Sequence, residues 1–392
     1  MNGSLKIGSI FGIPILLHWS FLIIIPLLAW LIGSQATLTT QLIEGFLQWF
    51  VDIGFIFQGP PVPQIQINTD LITAGYNAYI LGMVIAISLF IGVLIHEIAH
   101  SVVAKKKGIK INSITLLIFG GISSMEEEMP DPAIEFPMAL AGPFTSLAVG
   151  LISVFIAFVS TLITDAGIAG VLIFTFGYLG LLNIFLFAFN LLPAFPMDGG
   201  RVLRAFLARS MPLHRATRIA ADVGKVFAVI FGLVGILLLS PILILIAFFI
   251  YIGASQESTA IKYSFLLKDV NLKDIMAREV TTVPPSMPVR DVVSLMYSTK
   301  HLGFPVVEHG RVVGMVTLAD VHKLSPLDRE AMQVKDIMTR QVLTLPPGAP
   351  VMDALRIMSV SNIGRIPVME GENLVGIVSR TDIIKVIELK EM

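Results

Sequence analysis

Two histidines and a glutamate, in the run His96-Glu97-Ile98-Ala99-His100, sit near the end of an apolar stretch over 78–104 where Glu97 is the only formally charged residue. Residues four apart on a helix share a face, and a rise of 1.5 Å per residue separates them by about 6 Å along the axis. Two imidazoles so placed can bind one Zn²⁺, and the carboxylate beside them is placed to handle a proton. Ionisable groups inside a hydrocarbon-length segment are expensive and mark function by default. The pattern points to zinc-dependent hydrolysis within a membrane.

Composition agrees with that setting. Of 392 residues, 55% are hydrophobic and 14% charged, against about a quarter charged in an ordinary soluble chain. The net charge of −1 gives no footprint for nucleic acid. With no cysteine, disulfides, thiolate ligands and a cysteine nucleophile are excluded, so any metal must be held by His, Asp or Glu. Lys6 precedes an apolar run over 12–32 that lacks a small-residue cleavage site, which reads as a retained membrane helix.

The elements that must position the histidines follow from hydropathy. Helices of spanning length are expected at 12–33, 77–104, 136–161 and 168–192. Ser240-Pro241 divides the next apolar stretch into 219–239 and 241–255, the second short for a span. Residues 42–57 are apolar but carry Glu44 and Asp52, which favours a re-entrant or interfacial segment. Basic residues follow the second helix (Lys105, Lys106, Lys107, Lys110) and the fourth (Arg201, Arg204, Arg209, Arg215, Arg218). With six spans, both termini and both basic loops face the cytosol. His100 then lies about 7 Å from the Lys105 end of its helix, just inside the cytosolic face.

A catalytic zinc usually takes three protein ligands and keeps one position open. Another helix end on the same side carries Asn190-Leu-Leu-Pro193-Ala-Phe-Pro196-Met-Asp198-Gly199-Gly200-Arg201. Its prolines must unwind the backbone, its glycines permit close approach, and irregular backbone at membrane depth is tolerated where it lines a cavity. Asp198 is the candidate third ligand; an N-cap for the helix over 200–210 is the alternative. Together, His-Glu-x-x-His and Asn-x-x-Pro-x-x-Pro-x-Asp-Gly resemble the site-2 protease family of intramembrane zinc metalloproteases, over about 10–255. The resemblance implies one zinc per chain held by His96, His100 and Asp198, with Glu97 as the catalytic residue. It also implies roles near the site for Pro193 and for Asn190, which can help to stabilise the oxyanion. The match is close to members with six membrane helices, although the 34–76 connection is longer than in that pattern.

Residues 111–125 are β-prone with Gly120-Gly121 in the middle. Similar segments in the family form a hairpin dipping into the membrane beside the metal, where a free edge can pair with an extended substrate; a plain cytosolic hairpin is the alternative. His18, expected inside the first helix, is left out of the metal set. Ala141-Gly142-Pro143 reads as close helix packing by small residues, and the seventeen methionines read as core filler.

Beyond residue 256 the chain has ordinary polarity and repeats itself. Leu272-Lys-Asp-Ile-Met276 returns as Val334-Lys-Asp-Ile-Met338, and at the same offset Pro305, Gly314 and Asp320 match Pro367, Gly376 and Asp382. Each copy predicts a strand, a helix (288–300 and 350–361), two strands and a final helix, the pair sharing one core. Gly314-Met-Val-Thr317-Leu-Ala-Asp320 and Gly376-Ile-Val-Ser379-Arg-Thr-Asp382 resemble a tandem pair of CBS domains. That resemblance implies an adenine nucleotide (ATP, ADP or AMP) bound through Thr317, Asp320, Ser379 and Asp382. The alternative is that both hydroxyls cap the helices that follow, the pair serving as a dimerising scaffold.

The expected fold is a polytopic α-helical membrane protein of about six transmembrane helices with a membrane-associated β-hairpin, followed by a soluble α+β tandem CBS domain pair. The expected domains are a metalloprotease domain over 1–255, a linker over 256–267, and CBS domains over 268–326 and 330–388. The expected location is the cell membrane, multi-pass, with both termini and the CBS pair cytoplasmic. The expected partners are a transmembrane protein substrate, the lipid bilayer and a second copy of the chain through the CBS pair. The expected activity is cleavage of transmembrane proteins near the cytosolic face. A different class remains as a rival: a CBS-gated metal-ion channel or transporter using the His/Asp cluster as its pathway. A pathway would spread ionisable groups through the membrane depth, whereas here they gather at one level.

Overall fold

The computed structural model describes residues 3–55, 65–117, 120–125 and 131–391. The chain divides into two compact units, Met1–Thr259 and Ala260–Met392.

The first unit begins with strands β1 (Ser4–Ile10) and β2 (Ile13–His18), then helices α1 (Phe21–Ser34), α2 (Ala36–Phe55), α3 (Asp70–Thr73) and α4 (Asn77–Lys106). Strands β3 (Ile111–Leu117) and β4 (Gly120–Met125) follow, then α5 (Pro132–Ser160), α6 (Ala166–Asn190), α7 (Asp198–Leu207), α8 (Leu213–Leu237) and α9 (Pro241–Leu267). Among the described residues, α4, α5, α6, α8 and α9 are long and apolar enough to cross a membrane. Helices α1 and α2, bent by 80° to one another, would add a sixth span if taken together.

The sequence expectation fails at the first helix. Residues 13–18 form a strand, and the helix starts only at Phe21. Phe11 and Gly12 take positive φ (52° and 79°) and turn the chain; Ile13 and Ile15 then alternate inward, both buried. Strand β2 pairs antiparallel with β1 and parallel with β3, Ile15 opposite Ile114 and Leu17 opposite Leu116. The 111–125 hairpin forms as expected, except that residues 118–119 lie outside the described residues, and it belongs to a four-stranded sheet of order β1-β2-β3-β4. His18 ends β2, its Nδ1 2.9 Å from the Ser20 hydroxyl.

The charges on α2 also find a reason. Glu44 accepts from the Ile67 backbone (2.7 Å) and Gln48 from the Ile65 backbone (3.1 Å), while Gln48 donates to Asp52 (3.0 Å). These side chains satisfy an extended segment that has no ladder of its own. Ile43 and Leu47 on the same helix pack against Ile72, Ile85 and Phe174 in the main core of this unit.

Helix ends are set locally. Asp131 caps α5, accepting from Ala133 (2.9 Å), with Pro132 in the first turn; Asp165 caps α6, accepting from Gly167 and Ile168. Lys105 and Lys106 close α4 in its last turn, where cations suit the dipole. Helix α9 starts at Pro241 as expected but is 27 residues long, and it takes in the whole stretch 256–267.

The second unit contains α10 (Leu272–Ile275), α11 (Val289–Thr299), β5 (Gly303–Glu308), β6 (Arg311–Thr317), α12 (Leu318–His322) and α13 (Pro326–Ala331). Its second repeat is α14 (Val334–Ile337), α15 (Val351–Val360), β7 (Arg365–Glu370), β8 (Asn373–Ser379) and α16 (Arg380–Glu391). The repeats interlock. Ala277 of the first bridges Ile377 of the second, and Thr339 of the second bridges Met315 of the first. Gly314 and Gly376 have no room for a Cβ because the sulfurs of Met338 and Met276 would lie 2.7 and 2.5 Å away. The single core expected for the pair is in fact two, each taking the lead-in of the other repeat: Leu272 packs with Val351 and Ile366, Val334 with Val289 and Phe304.

Candidate active site

Helix α4 buries His96 and His100 one turn apart, ring centroids 4.7 Å apart. Their Nε2 atoms are 3.1 Å apart, and Asp198 Oδ2 lies 3.2 Å from one and 3.1 Å from the other. Ligand atoms of these three residues all lie within 4.8 Å of one another. Asp198 is the first residue of α7, and the position before it, Met197, is the N-cap. Its carboxylate therefore turns to the histidines, and the capping alternative does not hold. Burial pushes the Asp198 carboxyl up, but hydrogen bonds with His100 and His96 and the nearby Arg201 charge hold it below the usual carboxylate range.

The far side of each ring is fixed. His100 Nδ1 donates to the Met138 carbonyl (2.7 Å), since a carbonyl only accepts, and His96 Nδ1 meets the Ser146 hydroxyl (2.8 Å). In the neutral His100 ring this leaves Nε2 as a lone pair. Where His96 Nδ1 likewise donates to Ser146, both Nε2 lone pairs and a carboxylate oxygen converge on one point. Such an arrangement wants a cation, and two imidazoles with a carboxylate match the donors that Zn²⁺ takes.

A third helix leaves space for it. A Cβ on Gly142 of α5 would stand 2.2 Å from His100 Nε2 and 2.6 Å from His96 Nε2. The small residue expected to serve helix packing in fact faces the histidine nitrogens. The loop before α7 is equally tight: a Cβ on Gly199 would meet the Leu192 carbonyl at 2.1 Å, and one on Gly200 the Phe195 nitrogen at 2.5 Å.

Glu97 stands outside the three-residue cluster and faces β4. Ser123 donates to its Oε2 (3.0 Å), and the Ser101 hydroxyl is 3.2 Å from that of Ser123. A Cβ on Gly121 would fall 2.3 Å from Glu97 Cγ, so the strand backbone lies directly on this carboxylate. Asn190, at the end of α6, donates from Nδ2 to the Leu186 carbonyl (3.0 Å); one of its two amide N–H groups is engaged within its own helix. Ser123, Ser146, Gly142 and the Met138 carbonyl carry no motif of their own. Small residues at a membrane helix contact are the one sequence signal that touches them.

In the second unit each expected hydroxyl and aspartate come together. Thr317 donates from its backbone nitrogen and hydroxyl to Asp320 Oδ2 (3.0 and 2.7 Å), and Ser379 does the same to Asp382 (2.9 and 2.6 Å). Each aspartate thereby closes the first turn of the helix it sits on. Arg365, half-buried, donates across to the Gly303 carbonyl (3.0 Å).

Comparison with known proteins bears on both units. The model of peptidase family M50 matches residues 84–231, and that of the CBS domain matches 272–326 and 334–389. The chain is similar to a zinc metalloprotease of Methanocaldococcus jannaschii, 38% identical over 319 residues, covering 80% of this chain and 89% of that one. It is also similar to Rip3 of Mycobacterium tuberculosis, 31% identical over 408 residues, covering 99% and 94%. Among solved structures, the site-2 protease from Methanocaldococcus jannaschii is 33% identical, covering 65% of this chain and 95% of that one, with a TM-score of 0.40.

Proposed function

This chain belongs to peptidase family M50, as a zinc metalloprotease of the site-2 protease type with a tandem CBS pair, and from that premise we propose that it cleaves membrane-spanning proteins near the cytosolic face. Membership in a protease family removes the channel or transporter reading. The observation that carries the proposal is the convergence of His96, His100 and Asp198 on one point, with Glu97 beside it and outside it.

In this reading the three clustered side chains would hold the metal. When bound, zinc supplies the Lewis acidity that makes water nucleophilic near neutral pH and polarises the peptide carbonyl. Glu97 takes the proton from the attacking water and passes it to the leaving amine nitrogen. Ser123 occupies Glu97 Oε2 and so orients the carboxylate for that transfer. Asn190 helps to hold the developing oxyanion with the amide N–H that Leu186 does not take. Strand β4 ends the sheet among the described residues and rests on Glu97. Its free edge pairs with a substrate segment that has left the helical state, because a helical peptide bond is shielded.

The basic residues after α4 and around α7 favour the cytosolic side for this end of the helices, and this reading puts both termini and the CBS pair there. The pair, through Thr317, Asp320, Ser379 and Asp382, takes an adenine nucleotide as regulator and can join two copies of the chain.

Glu97→Gln tests the core of this reading. The variant should retain zinc, because Glu97 is not a ligand, and lose peptide cleavage. Retained turnover would remove Glu97 from the mechanism; loss of zinc would make it a ligand.

A further inference from the structure

Helix α7 is ten residues long and is held at both ends. Asp198 begins it. Arg204, about 9 Å further along the axis, is 3% exposed and is surrounded by partners from other elements. Its Nε donates to both carboxylate oxygens of Glu135 on α5 (3.0 and 3.1 Å), and Nη2 donates to Glu135 as well. Its Nη1 donates to Glu257 on α9 (2.5 Å). The guanidinium carbon lies 4.9 Å from the ring centre of Phe195, in the loop that leads to Asp198.

Helix α9 also touches that loop directly. A Cβ on Gly253, one turn before Glu257, would stand 2.7 Å from Pro196. One face of α9 therefore meets the chain just before Asp198 and again at the far end of α7. Burying an ion pair is seldom a gain in stability over a well-packed apolar contact. What a guanidinium offers instead is a rigid fork that fixes several partners in direction.

We propose that Arg204 is a positioning residue: by joining α7 to Glu135 and Glu257 it sets where the Asp198 carboxylate stands relative to His96 and His100. This rests on the reading of Asp198 as a metal ligand. Glu257 is the partner to perturb first, because its side chain is 33% exposed whereas that of Glu135 is 1% exposed. Its replacement leaves the Arg204–Glu135 pair intact.

The test uses the full-length protein in detergent, with zinc affinity measured by competition against a chromophoric chelator. Turnover of a membrane-spanning test substrate is followed at saturating zinc. Glu257→Gln should weaken zinc by about tenfold, the lower end of what loss of a supporting partner costs. It should lower kcat with KM unchanged and leave the melting temperature of the zinc-free protein where it was; a merely structural role would shift that temperature instead. Arg204→Lys should do more, since an ammonium cannot span both carboxylates. If that variant does not fold, Glu257→Gln decides alone. Asp198→Ala is the control. Should it lose zinc while Glu257→Gln binds and turns over like the wild type, the positioning role is overturned. Should Asp198→Ala keep zinc, the ligand reading fails and this inference with it.

Discussion

Gly142→Ala adds one methyl group at the point where the structure has least room for it. The new Cβ would stand 2.2 Å from His100 Nε2, where ordinary contacts begin at 3.4 Å. To reach that distance the nitrogen has to retreat by about 1.2 Å, and His96 Nε2, starting from 2.6 Å, by about 0.8 Å, several times the ~0.2 Å tolerance of a zinc–ligand distance. Neither ring can swing aside freely, because Ser146 and the Met138 carbonyl hold their Nδ1 atoms. Loss of both nitrogens from the ligand set should weaken zinc by at least a hundredfold, about 3 kcal/mol. The effect on the helix has the opposite sign, since alanine is favoured over glycine inside a helix by up to about 1 kcal/mol. The expected variant is therefore a zinc-free protein that does not cleave, its helix gain offset in the metal-free state by about 1–3 kcal/mol of overpacking against the two rings. Elemental analysis, thermal unfolding after metal removal and a cleavage assay measure the three terms. A Gly142→Ala protein that retains zinc and turnover would refute the reasoning.

Other expectations follow from the neighbours of the site. Ser123→Ala should leave zinc content unchanged and slow cleavage by about tenfold or more, the value of one hydrogen bond to a charged carboxylate of about 1.5 kcal/mol or above; zinc analysis and kcat check it. A substrate helix stiffened with Leu and Ala at the cut should resist cleavage relative to one containing Gly and Asn, and equal rates would argue against pairing with β4. Titrating ATP, ADP and AMP into the full-length protein by calorimetry should give binding heat that falls in Asp320→Ala and Asp382→Ala; no heat with any of them leaves the pair as a scaffold.

Much of the site was legible because its signals are local. The spacing of His96 and His100 is a helix period, and two prolines three apart, ahead of a Gly-Gly pair, announce broken backbone before Asp198. The internal repeat is likewise visible as an ungapped offset. What could not be read were partners distant in the chain. Nothing near Gly142 says that it faces two histidines about forty residues earlier in the chain, and nothing near Glu44 says that it receives the backbone of Ile67. The strand over residues 13–18 escapes the sequence for a different reason: a short apolar run does not distinguish strand from helix, and the deciding fact is pairing with β3, about a hundred residues on. The exchange of lead-in segments between the two repeats is equally invisible to a pattern that records only that they match.

His96 and His100 stand 102 and 98 residues before Asp198, and the chain between them contains the whole of α5 and α6. A cation gripped from both ends of that interval is a tether as well as a reagent. In a chain without cysteine it would join the two ends of this interval as a disulfide joins a loop, but only while the site is assembled, so its contribution to stability is its own binding free energy. In a bilayer each helix keeps its own hydrogen bonds when its neighbours leave, so the tether acts on lateral cohesion rather than on helix content. Metal starvation would then be felt as loosening of α7 from α4, with a melting temperature that follows the free metal concentration.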